Sequence, residues 1–286
     1  MGRTYDTISF LSDFGTADEH VGVIKSIVRD LAPHVVVVDL THDIAPFDVR
    51  AGSIALARAV SYLPSGVVLA CVDPGAGLGR PSVAVEVAGG AGVLLGPDNG
   101  LLAPAVALAG GADRAVLLDL DDLHLAAPGV TMTARDVLAP IAARLCNGAD
   151  LFELGSAVDA DVLVPGVVPL PRHEGDALVG EVLAIDRFGN CQLNIGPDDV
   201  ASWGEQLHVT IGEISRVARR VPTFGAVGAG AVGLVVDGSG MLSLVLDRRS
   251  AAEELAASAG DQATLRPLDA DDRGGVTTPV TLRPLG

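Results

Sequence analysis

The sequence predicts an α/β layered domain followed by a small C-terminal β-barrel domain, and three observations predict it. Apolar strand patterns alternate with helix-period patterns over the first half. Three prolines, Pro165, Pro169 and Pro171, then make a stiff linker. Beyond them come short strand patterns separated by turns, the texture of a small, mostly antiparallel barrel or sandwich. The expected boundaries are 1–164 for the α/β domain, 172–268 for the barrel and 269–286 for a polar tail.

The elements follow in order. Thr7–Leu11 reads as a strand, and Glu19–Leu31 as a helix with apolar positions Val21, Ile24, Ile27, Val28 and Leu31. Val35–Leu40 is a run dominated by β-branched valine, of the kind buried on both faces of a parallel sheet. A second helix is expected over Asp48–Leu63. Strands are expected at Val67–Val72, Ser82–Val87 and Val93–Leu95, then a helix near Leu101–Leu108 and a strand at Arg114–Leu118. A helix from Arg135 to Leu145 closes the first domain. In the second, strands are expected at Ala177–Asp186, Cys191–Ile195, Gln206–Ile211, Ala231–Val236 and Met241–Leu246, with a helical turn near Ala251–Leu255.

Composition excludes several classes. Of 286 residues, 49% are hydrophobic and 19% charged, which is the balance of a folded chain with an ample core. A net charge of −17 argues against nucleic-acid binding, which needs a basic face. No transmembrane span and no signal-peptide layout is evident, so the expectation is a cytoplasmic protein without membrane partners. Cys71, Cys146 and Cys191 stand far apart, matching neither a disulfide framework nor a zinc site. No phosphate loop, dinucleotide fingerprint or metal-spaced cluster appears, which favours a nucleoside-like ligand without phosphates and no metal.

The richest stretch is Val72-Asp73-Pro74-Gly75-Ala76-Gly77-Leu78-Gly79-Arg80. An apolar strand delivers a carboxylate into a Pro/Gly turn, and a guanidinium follows seven residues on. At a strand exit, such a pair can bind and polarise a water or a small anion. Asp13, leaving the first strand in Ser12-Asp13-Phe14-Gly15, can accept hydrogen bonds from a ribose diol or simply cap a turn. His42 and Asp43 could form a proton relay, and Phe47 could offer a ring to a purine or stay in the core. Asn99, in Pro97-Asp98-Asn99-Gly100, could stand at a site rim or serve a plain turn. Thr131 and Thr133 open the closing helix, where hydroxyls and free N–H groups can hold a water or a halide, or cap the helix. In Asp186-Arg187-Phe188-Gly189-Asn190, Asp186 could receive an ammonium group and Asn190 could match an adenine edge; a tight turn is the plainer reading. Phe224, and the loop Asp237-Gly238-Ser239-Gly240, are similar pieces.

Taken together, six motifs resemble one family: F-L-S-D-F-G at 10–15, D-L-T-H-D-I-A-P-F-D-V at 39–49, V-D-P-G-A-G at 72–77 with Arg80, P-D-N-G-L-L at 97–102, R-D-V-L-A-P at 135–140 and A-I-D-R-F-G-N at 184–190. It is the S-adenosyl-L-methionine hydroxide adenosyltransferase family, relatives of the fluorinase and chlorinase. The resemblance runs from about residue 6 to 267, with the motifs in the same order. It implies an N-terminal α/β domain, a C-terminal β barrel and a homotrimer with sites between subunits. It also implies a cofactor-free reaction in which water-derived hydroxide attacks C5′ of S-adenosyl-L-methionine, giving adenosine and L-methionine. Asp73 would orient or deprotonate the water and Arg80 would stabilise developing hydroxide. Asp13 would hold the ribose diol, Phe47 and Phe224 would pack on the nucleoside, Asn190 would read adenine and Asp186 would meet the methionine ammonium. Asn99, Phe188 and Ser239 complete the implied substrate-binding set.

Two departures stand out. Hydrolytic members carry T-F-H-G-R-D where this chain has T-M-T-A-R-D, so Thr133 stands where a third catalytic partner, a histidine, is expected. A threonine hydroxyl can hydrogen-bond a water but cannot act as a base near neutral pH. His20 or His42 is the conceivable replacement. Asp237-Gly238-Ser239-Gly240 likewise replaces an Asn-Ser-x-Gly pattern that contacts the amino-acid part of the substrate. Three functions are therefore open: hydrolysis, slowed by the missing histidine; non-catalytic binding of S-adenosyl-L-methionine or adenosine; and 5′-halo-5′-deoxyadenosine synthesis. Asp73 argues against the last, since a carboxylate repels a halide.

Overall fold

Five six-residue strands form most of the first sheet. In the computed structural model, which describes residues 2–75, 79–119, 125, 129 and 131–268, contacts divide the chain between Val168 and Pro169. The first unit contains strands β1 (Thr7–Ser12), β2 (Val36–Thr41), β3 (Gly66–Cys71), β4 (Ser82–Val87), β5 (Gly92–Pro97), β6 (Ala112–Leu118) and β7 (Gly155–Ala157). Its helices are α1 (His20–Leu31), α2 (Val49–Val60), α3 (Ala103–Leu108) and α4 (Ala139–Cys146). The sheet order is β2-β1-β3-β5-β4-β6-β7. β2, β1, β3 and β5 run parallel, while β4 lies antiparallel between β5 and β6.

Strand alternation sorts the core into two layers. Ile8, Phe10, Val67, Leu69 and Leu95 face α1 and α4, meeting Ile24, Val28, Ile141 and Leu145. Leu11, Val68, Ala70 and Leu94 belong to the opposite cluster, with Leu56 of α2 and Ala105 of α3. Full burial of a side chain such as Phe10 or Leu69 is worth about 1.5–3 kcal/mol. The result is the α/β layered domain expected.

One local expectation needs correction, and one helix has an irregular start. The 35–40 run is not buried on both faces: among the described residues β2 pairs only with β1 and is the sheet edge, with Val36 62% and Val38 39% exposed. A valine run satisfies an edge strand as well as a central one, so composition could not separate them. The closing helix forms where expected, but it opens on a wider turn. Ala134–Leu138 is a π turn that leads into α4. Pro140 has no N–H to give to the carbonyl of Asp136, and that carbonyl accepts the N–H of Leu125 instead, at 2.7 Å.

The second unit closes on itself. It has β8 (Arg172–Glu174), β9 (Ala177–Ile185), β10 (Cys191–Leu193), β11 (Gln206–Ile211), β12 (Ile214–Arg220), β13 (Val232–Val236), β14 (Leu242–Val245) and β15 (Gln262–Pro267), with the single-turn helix α5 (Ala251–Glu254). The order β10-β14-β13-β12-β11-β15-β9-β8, with β10 also paired to β9, makes a closed seven-strand barrel to which β8 is appended. Leu178, Val182, Leu193, Leu207, Val209, Leu234, Leu244 and Leu265 fill it. β12 and β15 escaped the sequence reading because Arg216, Arg219, Arg220, Gln262 and Arg266 punctuate them with polar side chains. The expected tail, 269–286, lies outside the described residues.

One carboxylate organises the β13–β14 hairpin. Asp237 Oδ1 accepts the N–H groups of Ser239 and Met241, and Oδ2 accepts Gln192 Nε2 at 2.6 Å and Ser243 Oγ at 2.9 Å. Gln192 and Ser243 are both buried, so Asp237→Ala would strip their side chains of this acceptor. A loss of about 2–3 kcal/mol is expected, readable as a lower denaturation midpoint at unchanged slope.

Candidate functional site

The parallel strands all exit at one edge of the first sheet, which is where open α/β sheets collect their chemistry. β1 delivers Asp13, β2 delivers His42, β3 delivers Asp73 and β5 ends in Pro97, followed by Asp98 and Asn99. β4 runs the other way, so its start, just after Arg80, reaches the same edge. A cleft of about 230 Å³ opens there, lined by Asp13, Phe14, Phe47, Cys71, Asp73 and Thr133 among others.

Asp73 and Arg80 meet as expected. Arg80 Nε lies 3.2 Å from Asp73 Oδ1, and the same oxygen accepts the Gly75 N–H at 2.9 Å. Both of these contacts fall on Oδ1. Gly75 is what lets the guanidinium lie across the turn, because a Cβ there would stand 2.7 Å from Arg80 Nη2. Asn99 holds the turn from beneath: its Nδ2 donates to the Val72 carbonyl at 2.9 Å and its Oδ1 accepts the Leu101 N–H at 3.1 Å. The amide is thus spent on backbone, and Asn99 does not line the cleft.

Asp13 sits opposite with one oxygen engaged. Its Oδ2 accepts the Phe47 N–H at 2.9 Å, which holds Phe47 at φ +70°, a left-handed conformation that bulky residues seldom adopt. The Phe47 ring is 70% exposed at the rim. Cys71 stands between the two carboxylates. Burial first, then the charges of Asp13 and Asp73, push its thiol well above the usual range, so it is a neutral wall and no nucleophile. Thr133 precedes the π turn, makes no side-chain capping bond and lines the cleft.

The histidine readings change. His42 is buried and is not among the residues lining this cleft, and it pairs with Ser12 and Asp39, not with Asp43. The relay with Asp43 is therefore not formed: Asp43 is exposed, and its N–H is satisfied by Thr41 Oγ1. His20 packs edge-on against Phe14, with ring centroids 6.0 Å apart, and likewise does not line the cleft.

In the second unit, a concavity of about 630 Å³ is lined by Asp186, Phe188, Asn190, Phe224, Leu246, Arg248, Arg249 and Ser250. Asp186 Oδ1 accepts the N–H groups of Phe188 and Asn190, and Oδ2 accepts Asn190 Nδ2 at 2.7 Å. Gly189 closes this turn at φ +81°, where a Cβ would collide with Ser250. The tight-turn reading thus holds for Asp186, while Phe188 and Phe224 are 78% and 55% exposed on the rim. Ser239 is exposed at the hairpin tip and does not line the concavity. Arg248 and Arg249, which the sequence reading passed over, do. Among the described residues, no cluster of His, Cys, Asp or Glu could hold a metal, and no helix is long and apolar enough to cross a membrane.

Relatives agree with this architecture. The sequence profile of the SAM hydroxide adenosyltransferase N-terminal domain matches residues 8–155, and that of the C-terminal domain matches residues 180–264. A protein of Salinispora tropica named (R)-S-adenosyl-L-methionine hydrolase is 42% identical over 255 residues, 89% of this chain and 95% of that one. A Fluorinase of Actinopolyspora mzabensis is 30% identical over 278 residues, covering 86% and 92%. The crystal structure of an uncharacterized conserved protein from Thermotoga maritima superposes with a TM-score of 0.83 at 28% identity, covering 91% of this chain and 99% of that one. With both domains matched in order, this chain belongs to the SAM hydroxide adenosyltransferase family.

Proposed function

We propose that the protein is an enzyme that hydrolyses S-adenosyl-L-methionine to adenosine and L-methionine. The observation that carries the reading is the Asp73 carboxylate, oriented through Oδ1 by Arg80 and Gly75, in a cleft it shares with a second carboxylate, Asp13. Two carboxylates against one guanidinium favour a cationic sulfonium ligand and disfavour a halide. The greater similarity to a named hydrolase than to a Fluorinase supports the same choice.

The chemistry asks little of the protein beyond alignment. Water loses a proton toward Asp73 as its oxygen bonds C5′; the C5′–S bond breaks and its electrons return to sulfur. Methionine leaves as a neutral thioether, so no general acid is needed. The site must line up oxygen, carbon and sulfur and keep the nucleophile poorly solvated. Arg80 would stabilise the developing hydroxide, and the Thr133 hydroxyl would position the water. Asp13 would bind the ribose diol through Oδ1, with Phe47 and Phe224 against the nucleoside. Asp186 and Asn190 would have to serve ammonium and adenine through lone pairs and N–H groups left over from their own turn. Asn99, Phe188 and Ser239 are read as support for the substrate and its loops. The reading carries with it a cofactor-free, cytoplasmic homotrimer with sites between subunits and no nucleic-acid or membrane partner; sedimentation of the purified protein tests the trimer.

Incubation with S-adenosyl-L-methionine, with and without chloride, followed by chromatography tests the reaction. Adenosine in both arms supports hydrolysis, a halogenated nucleoside replaces it with synthesis, and binding without turnover replaces it with a binding protein. Thr133→His should raise turnover by up to about 10²-fold, the lower end of what a positioned proton acceptor supplies; no gain would show that the histidine is not what limits the rate. Gly75→Ala should leave the melting temperature nearly unchanged, since only the flexible end of Arg80 must move, yet cost about tenfold or more in turnover through the displaced guanidinium.

A further inference from the structure

His42 is 5% exposed, and every polar contact it makes leads toward the Ser12–Gly15 turn or away from it to the surface. Its Nδ1 lies 2.8 Å from Ser12 Oγ, and its carbonyl accepts the Gly15 N–H at 2.8 Å. Ser12 is fully buried, and its Oγ also accepts the Phe14 N–H at 3.4 Å. With the Ser12 hydroxyl donating to Nδ1, the imidazole hydrogen sits on Nε2. Nε2 faces Asp39 Oδ1 at 3.2 Å, a close polar contact without hydrogen-bond alignment. Lys25 Nζ holds the other Asp39 oxygen at 2.8 Å. A continuous chain of polar contacts thus runs from a surface ion pair to the backbone of a cleft residue.

The backbone has been adjusted to make it. β1 and β2 pair Phe10 with Asp39 and then Leu11 with Thr41, so Leu40 is an extra residue in β2. Without that bulge, position 42 would share the face of the exposed Val38; the bulge breaks the parity. The ring instead lies edge-on to Phe10, with centroids 4.6 Å apart. Burying an imidazole in an apolar setting is costly unless its nitrogens are used.

We propose that His42 is a positioning residue: clasped between Ser12 and Asp39, it fixes the turn that presents Asp13 and Phe14 to the cleft. It acts on substrate binding and not on the chemical step, because Asp13, in the turn it holds, is read as gripping the ribose diol. The substrate arm of its test rests on the hydrolysis proposed above; the backbone arm does not.

Amide exchange and steady-state kinetics on Ser12→Ala, His42→Leu and His42→Asn test it. In the first two, the Phe14 and Gly15 amides should exchange about tenfold faster with the strands unaffected, the size of one net hydrogen bond. KM for S-adenosyl-L-methionine and Kd for adenosine should rise about tenfold, with kcat within about threefold. His42→Asn should recover most of the loss, since Asn Oδ1 can accept from Ser12 near the place of Nδ1. Unchanged exchange in Ser12→Ala overturns the clasp, and a fall in kcat at constant KM overturns the binding role. If His42→Leu does not fold, Ser12→Ala, which removes one oxygen, decides. If the wild-type protein does not turn over S-adenosyl-L-methionine, the hydrolysis reading fails while exchange still accepts or rejects the clasp.

Discussion

Replacing Asp73 by Asn will lower adenosine formation about 10²–10⁴-fold, the range lost when a positioned proton acceptor is removed. The substitution is nearly isosteric, and the amide oxygen can still take the Gly75 N–H that Oδ1 accepts now. What disappears is the negative charge that accepts the water proton and faces Arg80. The drop should therefore fall on kcat, with KM within about threefold and an unchanged circular dichroism spectrum. A variant that keeps its kcat would remove Asp73 from the chemistry and leave the cleft as a binding site.

Arg80→Gln comes second, with an expected loss of about 10²–10³-fold, the cost of deleting one preorganised group from a developing oxyanion. Stability should scarcely respond. The pair is 36% exposed at Arg80 and 19% at Asp73, and ion pairs that open to solvent contribute about 0–1 kcal/mol. The measurement is a paired one: melting temperature and kcat on the same sample, then kcat of Arg80→Ala with added guanidinium. Restoration by the free cation identifies charge as the missing element. A melting temperature that falls in step with kcat would reduce Arg80 to a structural tie.

The sequence made the strand exits legible because carboxylates at the ends of apolar runs can be read without coordinates. Asp13 and Asp73 both line the cleft at their strand exits; Arg80 reaches it only through its contact with Asp73, and Thr133 comes from a helix start, not a strand end. Less legible was anything decided by where a side chain's hydrogen bonds go. Asn99 and Asp186 carry the right groups for a ligand but use them on Val72, Leu101, Phe188 and Asn190. His42 looked like half of a relay with its neighbour, whereas the bulge at Leu40 sends it to Ser12. The edge position of β2 was equally hidden, since strand order is a long-range property that a valine run does not encode. In the second unit, arginine-rich β12 lacked the alternation that marks a half-buried strand.

The sheet's polarity has a practical corollary. Parallel strands begin at Thr7, Val36, Gly66 and Gly92, on the rim away from Asp13 and Asp73. Pro64 and Ser65 are exposed on that rim, just ahead of β3. A fluorophore or surface tether attached there would stand roughly 20 Å from Asp73, the length of a six-residue strand, far enough to immobilise or track the protein without touching its chemistry.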